Sequence, residues 1–267
     1  MTQRFSASPA TLALGLATAS LAEELLSPGL RGDARTRLVW GLAGALGMAL
    51  LAALLAGPLA RCRQGRGRQL CCLGLGVWLS GELVQLLWQA QQLCWQQFSS
   101  LAVIGLAPGL IWLGWQSGQP SLDHAARALW WLAAFGALVV LLGLGGQARW
   151  QRLVEADPIT APLGLPLYAE YFALPLLAPN PRRAAALPFV SFGVEAGFAL
   201  AVQLVFGSQG ESYGGAELLR ALSLGVFSRL DALLVLIWLV CGLFRICLLS
   251  YLIHGFYAAL KKEARLC

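Results

Sequence analysis

Charge is scarce in this chain. Of 267 residues, 12% are Asp, Glu, Lys or Arg, where a soluble domain carries roughly 25%. With 58% hydrophobic residues and a mean hydropathy of +0.68, a soluble globular class is excluded. Histidine is almost missing: only His124 and His254 occur. The seven cysteines are an odd number, Cys71 and Cys72 are adjacent, and Cys241 and Cys247 lie six apart. None of this is a metal-ligand spacing, so reduced thiols serving as small membrane-helix residues are expected, with no metal and no cofactor. No Gly-rich phosphate loop, no Gly-x-Ser-x-Gly elbow and no His-Glu-x-x-His appears, and the apolar runs hold no paired aspartates. An enzyme is therefore not expected. No cleavable signal is evident either, because Glu23-Glu24 stand where one would carry a small-residue cleavage site.

What remains is oil in long runs. The runs are continuous rather than alternating, which favours helices over a β-barrel. The net charge of +6 comes from arginines in short loops, a membrane-topology pattern that implies no nucleic acid partner. The reading is an all-α, polytopic bundle forming one integral membrane domain over residues 1–267. Eight spans are expected: Pro9 to Leu26, Leu38 to Ala60, Leu70 to Gln97, Ser99 to Trp115, Ala128 to Gly146, a broken segment from Pro162 to Pro179, Ala184 to Phe206, and Leu230 to Phe256. A span needs about 20 apolar residues at 1.5 Å rise each. Ala216 to Phe227 reads as a short interfacial helix. The first span is rich in Gly, Ala, Ser and Thr, which allow close approach or local unwinding. The sixth holds Gly164, Pro166 and Pro175, so an interruption is expected there.

Arg61, Arg63, Arg66 and Arg68 follow the second span with no acid among them, and this run is placed in the cytoplasm. With eight spans both termini are cytoplasmic. The loop from Ser27 to Arg37, with three arginines and one aspartate, runs against that rule. In the third span Glu82, Gln85, Gln89, Gln92 and Gln96 step by 3, 4, 3, 4, a single polar stripe. It is expected to face protein or a wet cavity, either as hydrogen-bonding glue between helices or as a solute-lining face.

Asp231, Trp238 and Arg245 recur every seven residues on one face of the last span. An arginine at that depth costs at least ~2.5 kcal/mol, so it is expected to find a partner. Asp231 lies ~21 Å away along the helix and cannot serve. Counted from cytoplasmic ends, Glu82 and Arg245 come out ~18 Å deep, Glu195 ~16 Å and Glu170 ~15 Å. Glu195 is the expected partner of Arg245, with the surplus carboxylates neutral at rest or awaiting a cationic group. The buried network of Glu82, Glu195, Arg245 and Asp231 is open to two readings: a register-fixing ion pair, or a site for a small zwitterion or a proton.

Several stretches carry a resemblance. Glu217-Leu218-Leu219-Arg220, Phe227-Ser228-Arg229-Leu230-Asp231-Ala232-Leu233 and Trp238 resemble the late part of the spore-germination permeases, the B subunits of nutrient germinant receptors. Leu122 to Arg127 is similar to that family's Leu-Glu-x-x-x-Arg entry to helix five, and Tyr171-Phe172 through Pro181-Arg182-Arg183 to its sixth helix and basic turn. The resemblance covers roughly Leu122 to Tyr257. It implies a LeuT-like amino acid permease architecture, shortened by its last two helices, with helices one and six interrupted around a mid-depth site. The implied ligand-binding residues are Gly15, Thr18 and Ser20 on helix one, and Gly164, Pro166 and Glu170 on helix six. The implied ligand is a small nutrient such as an amino acid. The implied partners are the receptor A and C subunits and the lipid bilayer of the cell or spore inner membrane. A secondary amino acid transporter, and an assembly subunit without a ligand site, are the alternatives.

Overall fold

A computed structural model describes residues 7–26, 34–61, 66–153, 167–177, 185–207, 215–221 and 230–264. Among them the chain is helical throughout, with no strand. The helices are α1 (Pro9–Leu26), α2 (Ala34–Arg61), α3 (Arg66–Phe98), α4 (Ala102–Gln116), α5 (Gln119–Gly145), α6 (Glu170–Leu177), α7 (Leu187–Phe206), α8 (Gly215–Ala221) and α9 (Leu230–Ala264). Five helices are long and apolar enough to cross a membrane, over Ala34–Leu55, Gln69–Gln96, Gln119–Gly145, Leu187–Phe206 and Ala232–Lys261; α4 is a shorter apolar helix. This is the anatomy of a helical membrane bundle.

The bundle is built around α9. Two thirds (67%) of its most apolar window is buried inside the protein, against 22–33% for the other four long helices. Apolar on every side, α9 can be enclosed by protein where the others keep a lipid-facing surface. It packs against α3, α4, α1 and α5. The second enclosed element is α1, which joins α9 to α7; α7 in turn packs on α2, and α6 lies mainly on α2.

Local chemistry explains the ends of several elements. Ser8 caps α1: its Oγ accepts from the Thr11 amide at 3.2 Å, and Pro9 occupies the first helical position, where a missing amide hydrogen costs nothing. The turn between α3 and α4 is fixed by buried Gln91, whose side-chain amide donates to the Ser100 carbonyl at 2.8 Å and accepts from the Ile104 amide at 3.2 Å. That second bond satisfies an orphan donor in the first turn of α4. α7 ends at Gly207, whose φ of +64° suits a residue without Cβ.

Two expectations need correction. α1 runs unbroken through Gly15, Thr18 and Ser20. Small residues permit unwinding but do not force it, and the only proline in α1 sits harmlessly at its start. The polar stripe of α3 is not glue between helices of this chain along its length: Glu82 turns inward, whereas Gln85, Gln92 and Gln96 are exposed and Gln89 is half-buried. A 3.5-residue repeat drifts on a 3.6-residue helix, so a stripe that starts at the packed edge swings outward. Inside α2, Arg37 pairs with buried Glu24 of α1 through both guanidinium nitrogens, one of them at 3.0 Å. The break near Gly164 to Pro166 lies outside the described residues, as does the chain from 222 to 229 where the short interfacial helix was expected to continue beyond α8.

Trp238 ties the two enclosed helices together. It is 1% exposed, and its indole N–H donates to the Thr18 carbonyl of α1 at 2.9 Å. Trp238→Phe keeps most of the ring and removes the donor. The lost bond and the cavity left by the missing five-membered ring should together cost about 2–3 kcal/mol and lower the thermal midpoint of the solubilised protein by about 4–10 °C. An unchanged midpoint would show that the bond adds nothing to the α1–α9 contact.

Candidate functional site

Arg245 lies midway along α9 and is 3% exposed. The heptad face that carries Trp238 carries it toward α1, where Gly15 leaves room: a Cβ there would meet Leu248 at 3.0 Å and the Arg245 stem at 3.8 Å. Its guanidinium is held by two acids from two other helices. Nε donates to Glu170 Oε1 at 3.2 Å, and Nη2 donates to the same oxygen at 2.7 Å and to Glu82 Oε2 at 3.1 Å. Glu170 opens α6 and is fully buried; Glu82 comes from the middle of α3.

The second oxygen of Glu82 accepts from the Ala169 amide at 2.6 Å. Ala169 precedes the first residue of α6, so Glu82 also caps that short helix, where a negative charge is stabilised by the free amides. Tyr168 completes one wall. The Arg245 guanidinium carbon lies 5.6 Å from its ring centre, within cation–π range. The Tyr168 ring meets Tyr171 edge-on at 5.7 Å, and the Tyr171 hydroxyl pairs with Ser191 Oγ at 2.8 Å. One stretch, 168–171, thus places a ring, a capped amide, a carboxylate and an anchored tyrosine in sequence order.

The cluster is not fully satisfied. Among the described residues, Glu170 Oε2, the Tyr168 hydroxyl and Ser20 Oγ make no hydrogen bond of ordinary geometry, although Ser20 faces Tyr168 and Glu82 faces Glu170. Two carboxylates face one guanidinium, so the fully ionised cluster carries one surplus negative charge. An unpartnered polar atom in a buried site costs about 1–3 kcal/mol. A carboxylate oxygen beside a surplus negative charge is complementary to a cationic donor, and the two hydroxyls can donate as well as accept.

The sequence-predicted residues fall into four sets. Glu82, Glu170 and Arg245 meet directly, with Gly15 against the arginine stem. Ser20 is buried and faces Tyr168, whereas the Thr18 hydroxyl is spent on the Leu14 carbonyl of its own helix at 2.8 Å, which leaves only its backbone to reach Trp238. Glu195 is not the partner of Arg245. It is half-buried on α7 and lines a separate recess between α2 and α7 with Gly41, Met48, Tyr171 and Ser191. Gly164 and Pro166 lie outside the described residues. Asp231 belongs to the first turn of α9, but its side chain also lies outside them. Tyr168 was not foreseen, although an aromatic residue two positions before a membrane acid was a usable signal. Nor was the link between α1 and α5, in which Thr11 Oγ1 donates to Asp123 Oδ1 at 2.6 Å.

Comparison with protein-family models, curated proteins and solved structures finds no match.

Proposed function

We propose that this chain is a permease-like subunit of a spore germinant receptor, which binds a small nutrient such as an amino acid at the buried Glu82–Arg245–Glu170 cluster. The observation that carries this reading is a buried guanidinium engaged by two carboxylates from two other helices, with the Ser20 and Tyr168 hydroxyls and Glu170 Oε2 gathered beside it. An ion pair serving only to fix helix register needs one carboxylate for one guanidinium, and here there are two. An amino acid supplies what the cluster lacks: an ammonium for Glu170 Oε2, and a carboxylate able to accept from the Ser20 and Tyr168 hydroxyls. The resemblance of residues 122–257 to germination permeases supplies the biological setting. On this reading the chain works in the cell or spore inner membrane with both termini cytoplasmic and with A and C subunits as partners.

The test is ligand-dependent stability. Protein in lipid nanodiscs is heated with each common amino acid in turn. A ligand held only by the native state stabilises it by about 2.7 kcal/mol at one hundred times its dissociation constant. At least one amino acid should raise the midpoint in a saturable way. Ser20→Ala, which leaves every ion pair in place, should weaken that response, and Glu170→Gln should abolish it. If no amino acid shifts the midpoint, or if both variants respond like the parent, the ligand site is wrong and a purely structural cluster remains. Uptake of the stabilising amino acid, labelled, into proteoliposomes would replace the receptor reading with that of a transporter.

A further inference from the structure

We infer that α3 is the interface between two copies of this chain, packed in parallel about a two-fold axis along the membrane normal. The starting point is a polar face where lipid should be. Gln69–Gln96 is long and apolar enough to cross the bilayer, and Gln85 lies ~16 Å along the helix from Gln96 and ~24 Å from Gln69, inside a hydrocarbon layer ~30 Å thick. Gln85 is nonetheless exposed, as is Gln92. Hydrocarbon offers an amide nothing to bond with, so a helix that shows glutamines at this depth is complete only when another polar surface covers them.

The face also has the relief of a helix contact. At about 100° per residue, Gly74, Gly81, Gln85 and Gln92 fall within about 40° of arc. Among the described residues, a Cβ built on Gly74 or Gly81 would meet nothing within 4 Å, so both glycines open outward and let a second backbone approach. Two other edges flank this line. On one side stand Trp88 and Trp95, 65% and 56% exposed; on the other stand half-buried Gln89 and exposed Gln96.

The arrangement fits a second copy in particular. Copies inserted in the same direction place equal residues at equal depth, and a two-fold axis makes the contact self-complementary. A primary amide both donates and accepts, so Gln85 and Gln92 can each bond to their own counterparts across the axis. The same axis turns the tryptophan edge of one copy toward the glutamine edge of the other. The indole N–H is a donor only, and the facing amide oxygens are acceptors. This inference stands whether or not the central cluster binds a ligand.

Cross-linking tests it in membranes. Gln85→Cys and Gln92→Cys, made separately in the full chain, are oxidised with copper phenanthroline beside the parent protein and a Phe135→Cys control on the outer face of α5. Both α3 variants should form a disulfide-linked species of twice the 28.5 kDa chain mass, well above the parent and the control. Because an introduced cysteine could also react with one of the seven native ones, the same variants are made with the native cysteines replaced by alanine; there a disulfide dimer can join only a residue to its own counterpart, which identifies both the partner and the symmetry. Gln85→Leu combined with Gln92→Leu should raise the dimer dissociation constant in vesicles roughly tenfold while leaving the unfolding midpoint of dilute solubilised monomer unchanged. Absence of the disulfide dimer above the parent, adducts of another mass, or a leucine variant that dimerises as well as the parent would overturn the inference; an adduct with a different polypeptide would assign the face to that partner instead.

Discussion

Arg245→Met should leave almost no folded protein. The guanidinium is 3% exposed and engages both acids, with a single nitrogen shared between Glu82 and Glu170. Methionine fills a similar volume but cancels no charge. Two buried carboxylates are then left beside each other and beside the Tyr168 ring. Breaking a buried pair by removing one partner typically costs 3–5 kcal/mol, a large share of the roughly 5–15 kcal/mol that holds a domain together. Loss of the monodisperse peak after solubilisation, or a collapsed thermal midpoint, is the expected readout. Arg245→Lys should recover only part of this, because a point charge cannot reproduce two fixed N–H directions onto one carboxylate oxygen. The informative variant is the triple change Arg245→Met, Glu82→Gln, Glu170→Gln. It removes the uncompensated charge and should restore most of the folded yield, since a neutral buried cluster is often as stable as a charged one. If that protein folds but no longer responds to any amino acid, the charges serve binding; if it folds and still responds, the site lies elsewhere. An Arg245→Met protein that assembles like the parent would mean the ion pairs carry no structural weight.

The depth of this cluster was readable from residue counting alone, and its partners were not. Rise per residue placed Glu82, Glu170, Glu195 and Arg245 near one level, and three of the four do meet. Level says nothing about azimuth. Glu195 was expected to pair because α7 is the long helix before α9 in the chain. In the bundle α7 packs on α1 and α2, while α9 is surrounded by α1, α3, α4 and α5. Neighbours in sequence are separated here by the short helix α8, which relaxes the tendency of consecutive elements to pack together. The third span shows the complementary limit. The 3, 4 spacing of its polar residues established a stripe, and no pattern internal to α3 says whether that stripe faces protein or lipid. Only Glu82, at the packed edge, has a partner strong enough to draw it in. Helix positions were more legible, because they follow from local runs of apolar residues bounded by glycine, proline and arginine, but five of the eight expected spans are long and apolar enough to cross a membrane among the described residues.

Gly114→Leu should be nearly as damaging as loss of the arginine, for a reason that involves no charge. Gly114 lies where α4 crosses α9. A Cβ there would sit 2.5 Å from the Cys247 carbonyl oxygen, 2.8 Å from Ser250 Cβ and 3.1 Å from Cys247 Cα. These are not flexible tips that can swing aside. Two of the three atoms are α9 backbone, and α9 is the helix around which the core is packed. Either α4 lifts away or α9 bends, and both outcomes open the packed interface and stretch the contact in which Cys247 Sγ donates to the Leu110 carbonyl at 3.4 Å. Overpacking a tight core costs about 1–3 kcal/mol and occasionally more, and a leucine against backbone belongs at the upper end of that range. Even Gly114→Ala should destabilise measurably. The same helix supplies its own control. Among the described residues, a Cβ at Gly105 or Gly109 would meet nothing within 4 Å, so alanine there makes no clash and gains up to about 1 kcal/mol in helix propensity. The expected order of thermal midpoints is Gly109→Ala at or above the parent, then the parent, then Gly114→Ala, then Gly114→Leu. If Gly114→Ala instead ranks with Gly109→Ala, α4 is not seated against α9 at the Cys247 carbonyl, and the crossing that closes this side of the bundle must be redrawn.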